Sequence, residues 1–433
     1  MTEPVNIRPR ERDAIIASLR AGVVPRVGQQ HIQVGRAGEV QSLLADIERI
    51  ADGGSAIRFI IGEYGSGKTF FLNLVRAIAL EKRLVTMHGD LTPDRRLQAT
   101  GGQARALYAE LAANLATRAR PDGGAMPSVV ERFITSAQNQ ATDQAVSSVV
   151  VIHQRLQELS ELPGGYDFAE VIAAYARGFD TGNESLTSDA IRWLRGEFST
   201  RTDARAALGV RTIIDDSNTY DMIKVLALFV RQAGYDGLLV VYDELVNLYK
   251  LANSQVRYAN YEQILRILND TLQGGSRALG FLFGGTPEFL LDTRRGLYSY
   301  QALQSRLAEN AFAVDGRVDR SGPVLRLANL TPEDFYVLLG KLRNVYAAGD
   351  ESAYLVPEQA LTAFMAHCSE RIGDAYFRTP RTTITAFVNL LAVLEQNPGA
   401  QWEDLLGQVD VVDDVDPSLE GGTEGEELVG FQL

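Results

Sequence analysis

The feature that most constrains this chain is an apolar run leading into a glycine-rich turn: residues 60–69 read IIGEYGSGKT. The last eight residues match the pattern G-x-x-x-x-G-K-T, whose glycines let the backbone turn tightly and aim its N–H groups at phosphate oxygens. Lys68 would place a compact positive charge on the β- and γ-phosphates, and the Thr69 hydroxyl would bind Mg²⁺. The apolar stretch from Phe70 to Ile78 predicts the helix whose positive end faces the nucleotide.

We therefore predict a strand, a phosphate-binding loop and a helix that together bind ATP and Mg²⁺. The alternative is a chance glycine-rich turn, but the strand before the turn and the helix after it both favour the loop. The residues expected to contact the nucleotide here are Gly62, Glu63, Tyr64, Gly65, Ser66, Gly67, Lys68, Thr69 and Phe70.

A second apolar run, from Gly237 to Tyr242, ends in two acids. Its length and composition predict a strand buried on both faces of a parallel sheet. Asp243 would hold Mg²⁺ through water, and Glu244 would polarise the attacking water. The alternative is a strand that ends in solvated acids. Together the loop and this strand have the form of Walker A and Walker B motifs.

Two further strands are predicted, one over Leu84 to His88 and one from Ala278 to Phe283. Thr286, just past the latter, would lie between the Walker B strand and the γ-phosphate and sense it; the alternative is an ordinary turn residue. Strands alternating with helices predict an α/β fold, a doubly wound parallel sheet with its ligand at the carboxyl ends of the strands.

The composition argues against a membrane-spanning, secreted, disulfide-linked or zinc-binding protein. In 433 residues, enough for two or three domains, no apolar run approaches the roughly 20 residues of a membrane span. The first residues lack the pattern of a signal peptide, and the single cysteine, Cys368, excludes an intrachain disulfide. The four histidines show no zinc spacing. We expect a cytoplasmic protein without a membrane partner.

The net charge of −13 comes mainly from the C-terminus, because residues 401–433 hold ten acids and no basic residue. The remaining 45 acidic and 42 basic residues allow local contact with DNA without predicting it. The acidic tail is expected to be disordered. It would serve as a solubilising end or, less favoured, as a docking segment for a partner.

In this order the segments resemble the AAA+ ATPases, in particular the branch with replication-initiator and signalling ATPases. The segment around Val34, Gly35 and Arg36 is similar to the one that lies along the adenine in that fold. The run 303–307 is similar to the element whose arginine reaches a neighbour's ATP, and this assigns Arg306. Thr379-Pro380-Arg381 resembles the start of the lid helix with its second sensor arginine, Arg381.

More narrowly, residues 62–72 together with 379–381 resemble the ATP-binding proteins of bacteriophage-exclusion (BREX) defence systems, the BrxD-like proteins. That resemblance implies an ATPase with a P-loop AAA+ core, acting as a homo-oligomer in anti-phage defence alongside a helicase or methyltransferase. The organisation we predict is an N-terminal extension (1–30), an ATPase core (31–330) with a helical insertion at about 121–207, a C-terminal helical lid (331–397) and the tail (398–433).

Several arginines have rival assignments. Arg294 and Arg295 are alternatives to Arg306, and Arg378 is the alternative to Arg381; each could also be a solvated surface charge. Within the insertion, arginines interleaved with Trp193 and Phe198 would meet a nucleic-acid backbone and stack on bases. An amphipathic helix with a solvated basic face is the favoured interpretation of that segment.

Two functions remain open from the sequence. The first is an oligomeric ATPase that couples hydrolysis to the movement or loading of a partner on DNA. The second is a nucleotide-gated switch that controls the assembly of a complex with slow or no turnover. The rate of hydrolysis would distinguish them.

Overall fold

A computed structural model gives the structure of the chain and describes residues 7–313, 317–409 and 411. The described residues form two compact units. The helical unit consists of those within Met1–Gly35, Gly62–Phe70 and Leu327–Leu433; the sheet unit consists of those within Arg36–Ile61 and Phe71–Arg326. The predicted tail falls mostly outside the described residues, as does its apolar end at 428–431.

The strands of the described chain are β1 Ser55–Ile61, β2 Val85–Asp90, β3 Leu238–Asp243, β4 Leu279–Gly285 and β5 Val324–Arg326. The helices are α1 Pro9–Arg20, α2 Ala37–Ala51, α3 Lys68–Glu81, α4 Gln103–Ala113, α5 Met126–Gln144, α6 Ser148–Ser160, α7 Gly165–Thr181, α8 Glu184–Leu194, α9 Arg201–Leu208, α10 Thr219–Gln232, α11 Val246–Tyr249, α12 Ser254–Leu272, α13 Pro287–Leu291, α14 Gln301–Leu307, α15 Pro332–Tyr346, α16 Glu358–Ile372, α17 Ala375–Arg378, α18 Arg381–Gln396 and α19 Trp402–Leu406.

The sheet is parallel throughout and has the order β2-β3-β4-β1-β5. The predicted α/β class and its parallel sheet are thereby confirmed. The four predicted strands are present, and β5 is an addition to them. In register, Ile61 of β1 pairs with Gly285 of β4, and Asp90 of β2 pairs with Asp243 of β3. The carboxyl ends of these strands therefore meet at one edge of the sheet.

Both faces of the central strands are covered, since every residue of β3 and β4 is buried. On one face, aromatic rings stack across three strands, with Phe283 of β4 at 5.0 Å from Phe59 of β1 and 5.2 Å from Tyr242 of β3. On the other face, Gly280 lets α2 approach closely, because a Cβ there would lie 2.2 Å from Ile50 Cδ1. This double burial explains why the strands are continuous apolar runs.

The helical unit has its own core, in which α1 packs against α18 and α15. The Thr385 hydroxyl donates to Leu19 O at 2.8 Å, and Arg12 Nε donates to Tyr346 O at 2.8 Å. Cys368 is fully buried in this core, and burial raises the pKa of its thiol to about 12. The cysteine is therefore a packing residue, as its apolar surroundings in the sequence indicate.

The helices of this unit begin where their start signals lie in the sequence. Thr331 caps α15 through a capping box: its side chain accepts from Asp334 N, and the Asp334 carboxylate accepts from Thr331 N. Pro380 precedes the first residue of α18, Arg381. No helix of the described ranges is long and apolar enough to cross a membrane.

Candidate nucleotide-binding site

The glycine-rich loop lies between the end of β1 at Ile61 and the start of α3 at Lys68. Gly65 and Gly67 have φ angles of 72° and 78°, in the left-handed region where a side chain is disfavoured. At Gly62 a Cβ would lie 2.5 Å from Ser66 Oγ, so a side chain there would displace the Ser66 hydroxyl. The helix predicted over Phe70 to Ile78 begins two residues earlier, at Lys68. The turn before it places Gly65 and Gly67 in a backbone conformation that favours glycine.

The ammonium group of Lys68 lies against its own loop. It donates to Gly62 O at 2.9 Å and to Glu63 O at 2.8 Å, and Ser66 N donates to Glu63 O at 3.2 Å. These bonds hold the positive charge beside the loop. A phosphate bound here would replace the two carbonyl oxygens as the acceptor for Lys68. Its oxygens carry a full negative charge, so they would bind the ammonium group more strongly than the neutral carbonyl groups do.

Two other parts of the helical unit touch the loop. Asn329 donates through Nδ2 to Glu63 Oε2 at 3.0 Å. At Gly65 a Cβ would lie 2.9 Å from Thr379 Cγ2 and 3.2 Å from Thr379 Cα, so the backbone before α18 approaches this glycine closely. The tip of the loop is therefore packed rather than exposed to solvent on all sides.

Arg381 also contacts the loop, at Tyr64. Its Nη1 donates to the Tyr64 hydroxyl at 3.3 Å, and its guanidinium carbon lies 5.6 Å from the centre of the tyrosine ring. Arg378, the alternative sensor, instead donates to Asp374 at 3.2 Å within its own chain segment. The structure thus brings Arg381 to the phosphate loop and pairs Arg378 elsewhere.

The segment predicted to lie along the adenine is anchored to α15. Gly35 has a φ of 59°, and a Cβ on it would lie 3.1 Å from Asp334 Oδ1. Lys341 donates to Gln33 O, and burial lowers the pKa of this lysine. Val34 packs on the core of the helical unit. The hydrogen bond and the close contact with Asp334 hold residues 33–35 in place.

Arg36 belongs to the sheet unit, where it precedes α2. Its φ of 59° is unusual for a residue with a side chain, and its guanidinium carbon lies 6.0 Å from the centre of the Phe71 ring. Phe71 lies in the first turn of α3. Arg36 is therefore placed against the helix that starts at the phosphate loop.

The two acids at the end of β3, Asp243 as its last residue and Glu244 directly after it, differ in their surroundings. Asp243 is 8% exposed, and its Oδ1 accepts from Glu244 N at 2.8 Å. Gly284 of β4 makes room for this carboxylate, because a Cβ there would lie 2.4 Å from Asp243 Oδ1. Glu244 is exposed and has a φ of 58°. A left-handed backbone at a residue other than glycine is strained, and such strain concentrates at functional sites.

Asp90 is a further acid at this edge that the sequence reasoning missed. It ends β2 and pairs in register with Asp243. Part of Asp90 is exposed, yet surrounding atoms desolvate its carboxylate; this desolvation and then the negative charge of Asp243 raise its pKa, against the opposing effect of Arg95. The signal available in the sequence was an acid two residues beyond the predicted strand at 84–88.

Thr286 follows β4, which lies between β1 and β3. Its hydroxyl oxygen accepts from Phe289 N at 3.4 Å and so caps α13. This is the turn role that the sequence left open as an alternative. A hydroxyl that accepts one hydrogen bond can still donate its proton, so the capping bond is compatible with a contact to a phosphate.

The three candidate arginines of the sheet unit differ in the hydrogen bonds that they make. Arg306, exposed on α14, donates to Asn269 Oδ1 at 2.8 Å and to Ala302 O at 2.8 Å. Arg295 donates to the backbone oxygens of Tyr249 and Leu251 at 3.2 and 3.3 Å. Arg294 is exposed, and its backbone N–H donates to Asp292.

The less favoured interpretation of the insertion, in which its aromatic residues stack on bases, disagrees with the burial of Trp193 and Phe198. Trp193 is 1% exposed and donates through Nε1 to Thr212 O at 2.9 Å, while Phe198 is 4% exposed beneath the guanidinium of Arg192. Rings buried in this way are not available for stacking on a base. The favoured interpretation, an amphipathic helix, agrees with the burial of Trp193 and the exposure of Arg192.

The oxygens assigned to the metal are of the kind that Mg²⁺ binds. Thr69 supplies a hydroxyl and Asp243 a carboxylate, both hard ligands, and a magnesium ion commonly completes its shell with water and substrate phosphates. Within the described ranges, no group of three or more His, Cys, Asp or Glu side chains is placed to hold a metal ion.

Among known proteins, a family of ATP-binding proteins is similar to nearly the whole chain. A family model described as BREX system ATP-binding protein BrxC/D matches residues 7–410. The match includes the glycine-rich loop, the two acids at the end of β3, and helices α15 to α18. No curated protein matches the chain.

Proposed function

The chain belongs to the family of BREX system ATP-binding proteins BrxC/D, and on this premise we propose that it is an AAA+ ATPase that binds ATP with Mg²⁺ and hydrolyses it. The observation that carries the proposal is the order of the sheet. The strand that leads into the phosphate loop, β1, and the strand that ends in the two acids, β3, flank β4. Ligands of open parallel sheets bind outside the carboxyl ends of the strands, where the loop begins and these acids lie.

The chemistry follows from the residue types at this edge. Lys68 and the loop N–H groups bind the β- and γ-phosphates, and Thr69 with Asp243 holds Mg²⁺. Held there, Mg²⁺ would neutralise part of the negative charge on the phosphates. Glu244 orients and polarises the attacking water. Steady release of phosphate from ATP, dependent on Mg²⁺, is the activity that tests this assignment.

Three further contacts complete the proposed site. Val34, Gly35 and Arg36 lie along the adenine. Thr286 senses the γ-phosphate, which its place directly after β4 supports. Arg381, at the start of the proposed lid, binds the phosphates, and its contact with Tyr64 of the loop supports this role.

The family places the chain in a phage-defence system, and membership of a system implies partner proteins. We propose that the protein assembles as a homo-oligomer and acts with a helicase or a methyltransferase on DNA. An arginine of one subunit would then stabilise the charge that develops on the γ-phosphate of its neighbour. Arg306 is exposed, and its guanidinium is oriented by Asn269, which supports its assignment to that role.

Arg306→Ala should lower turnover by about 10³-fold in the oligomer and leave ATP affinity unchanged, because arginines of this kind act on the transition state. Mixing provides the direct test. When Arg306→Ala subunits are co-assembled in equal amounts with Lys68→Ala subunits, about a quarter of the interfaces combine an intact loop with an intact arginine. Phosphate release should then return to a measurable fraction of the wild-type rate.

The matched control is Arg294→Ala, which removes a rival arginine and should leave turnover near wild type. A co-assembled mixture without any activity would contradict the in-trans role of Arg306. Loss of turnover in Arg294→Ala alone would transfer the role to that residue.

A further inference from the structure

Tyr64 stands at a variable position of the loop pattern. Phosphate binding requires no particular side chain at that position. The pattern G-x-x-x-x-G-K-T specifies glycines, the lysine and the hydroxyl, and Tyr64 is the second of its four variable residues. In the structure this side chain meets Arg381, with a hydrogen bond of 3.3 Å and the guanidinium carbon at 5.6 Å from the ring centre. Both residues belong to the helical unit.

The backbone of Arg381 is fixed independently of this contact. It is the first residue of α18, whose Phe387 and Leu391 are completely buried in the core of the helical unit. The guanidinium, by contrast, stands at the end of a long side chain on an exposed residue. Ordering such a side chain on binding costs rotamer entropy and so weakens the affinity, unless a neighbour restricts the side chain beforehand.

Tyr64 and Gly22 are among the neighbours that restrict the side chain of Arg381. Tyr64 offers the face of its ring and its hydroxyl oxygen, and a Cβ at Gly22 would lie 3.8 Å from Arg381 Cδ, so the aliphatic part runs past this glycine. Tyr64 itself is half-buried at the tip of a loop whose adjacent Gly65 lies against Thr379. The ring is thus placed by the same packing that joins the loop to the start of α18.

We propose that Tyr64 is a positioning residue, which holds the guanidinium of Arg381 beside the phosphate loop before ATP arrives. This inference rests on the proposed function, in which the loop and Arg381 bind the phosphates of ATP. The side chain of Tyr64 makes no bond to the nucleotide in this role, which leaves its backbone N–H free to bind phosphate with the rest of the loop. It acts through Arg381, and it links any change of loop conformation on ATP binding to the first turn of α18.

A double-mutant cycle on ATP affinity tests the inference. Affinity for a slowly hydrolysed ATP analogue with Mg²⁺ is measured by calorimetry for the wild type, Tyr64→Ala, Arg381→Ala and the double variant. Tyr64→Ala should weaken binding about fivefold, the range of a cation–π contact at a partly exposed site. Because Tyr64 acts only through Arg381, the double variant should bind no more weakly than Arg381→Ala alone.

Two conservative variants separate positioning from a structural role of the loop. Tyr64→Phe keeps the ring and should stay within about twofold of wild type, whereas Tyr64→Leu keeps bulk without a π face and should behave like Tyr64→Ala. Arg371→Ala, an exposed arginine on α16, is the matched control and should bind like wild type.

The affinity measurements distinguish failure of the positioning role of Tyr64 from failure of ATP binding itself. A wild-type protein that does not bind the analogue would overturn the proposed function itself. If the wild type binds but the losses of Tyr64→Ala and Arg381→Ala multiply in the double variant, the two residues act independently and the inference is overturned. Wild-type affinity in both Tyr64→Ala and Tyr64→Leu would overturn it as well.

Discussion

Lys68→Ala is expected to weaken ATP binding by about 100-fold, the equivalent of losing one strong charge-assisted contact to phosphate. The structure gives the reason: the ammonium group lies against the carbonyl oxygens of Gly62 and Glu63 at 2.9 and 2.8 Å, beside the loop itself. Alanine at this position keeps the helix, because alanine is the best helix former, but removes the positive charge. Calorimetric titration with ATP and Mg²⁺ measures the change directly.

Lys82→Ala is the matched control, because Lys82 follows the last residue of the same helix and lies 51% exposed near Glu48. Removing it changes the net charge of the protein by the same amount without touching the loop. ATP affinity in this variant should equal that of the wild type. If Lys68→Ala also binds like the wild type, the assignment of the phosphate loop is wrong.

Glu244→Gln is expected to bind ATP with wild-type affinity and to lose hydrolysis by roughly 10²–10⁴-fold, the usual contribution of a positioned general base. Glutamine has nearly the shape of glutamate, but it does not accept a proton from water. The variant leaves the carboxylate of Asp243, the proposed metal ligand, and its hydrogen bond from Glu244 N unchanged. Phosphate release and nucleotide affinity, measured on the same preparation, separate the two effects.

An exposed glutamate on α12, Glu262, supplies the control, and Glu262→Gln should retain full turnover. Normal turnover in Glu244→Gln would remove this residue from the catalytic role. The third carboxylate at this edge, Asp90, would then be the next candidate, since it is the register partner of Asp243.

The loop and the strands around it could be predicted from the sequence because their determinants are local. Glycines at fixed spacing and apolar runs bounded by glycine or acid depend on residues close together in the chain. β5 was not predicted, since its three residues, Val324–Arg326, are too few to show a periodicity. Asp90 was missed for a different reason: its proximity to Asp243 depends on the pairing of β2 with β3.

Contacts between distant segments were the other part that sequence reasoning did not supply. The loop residue Tyr64 and Arg381 lie 317 positions apart in the chain. The family resemblance assigned both residues to the nucleotide site, but no pattern in either segment indicates that their side chains meet. The burial of Trp193 was not indicated by the sequence pattern either. Arginines interleaved with aromatic residues occur both on nucleic-acid-binding surfaces and on helices whose aromatic face is buried, and only the tertiary packing distinguishes the two.

The central claim is that the protein hydrolyses ATP, and the most direct test is steady-state phosphate release from ATP by the purified protein. Release is measured with Mg²⁺ or EDTA and with or without double-stranded DNA, while the mass in solution is determined with and without ATP. We expect many turnovers that depend on Mg²⁺, an ATP-dependent oligomer, and stimulation by DNA. Tight binding of ATP by a monomer, without turnover in any condition, would contradict the account and indicate a nucleotide-gated switch.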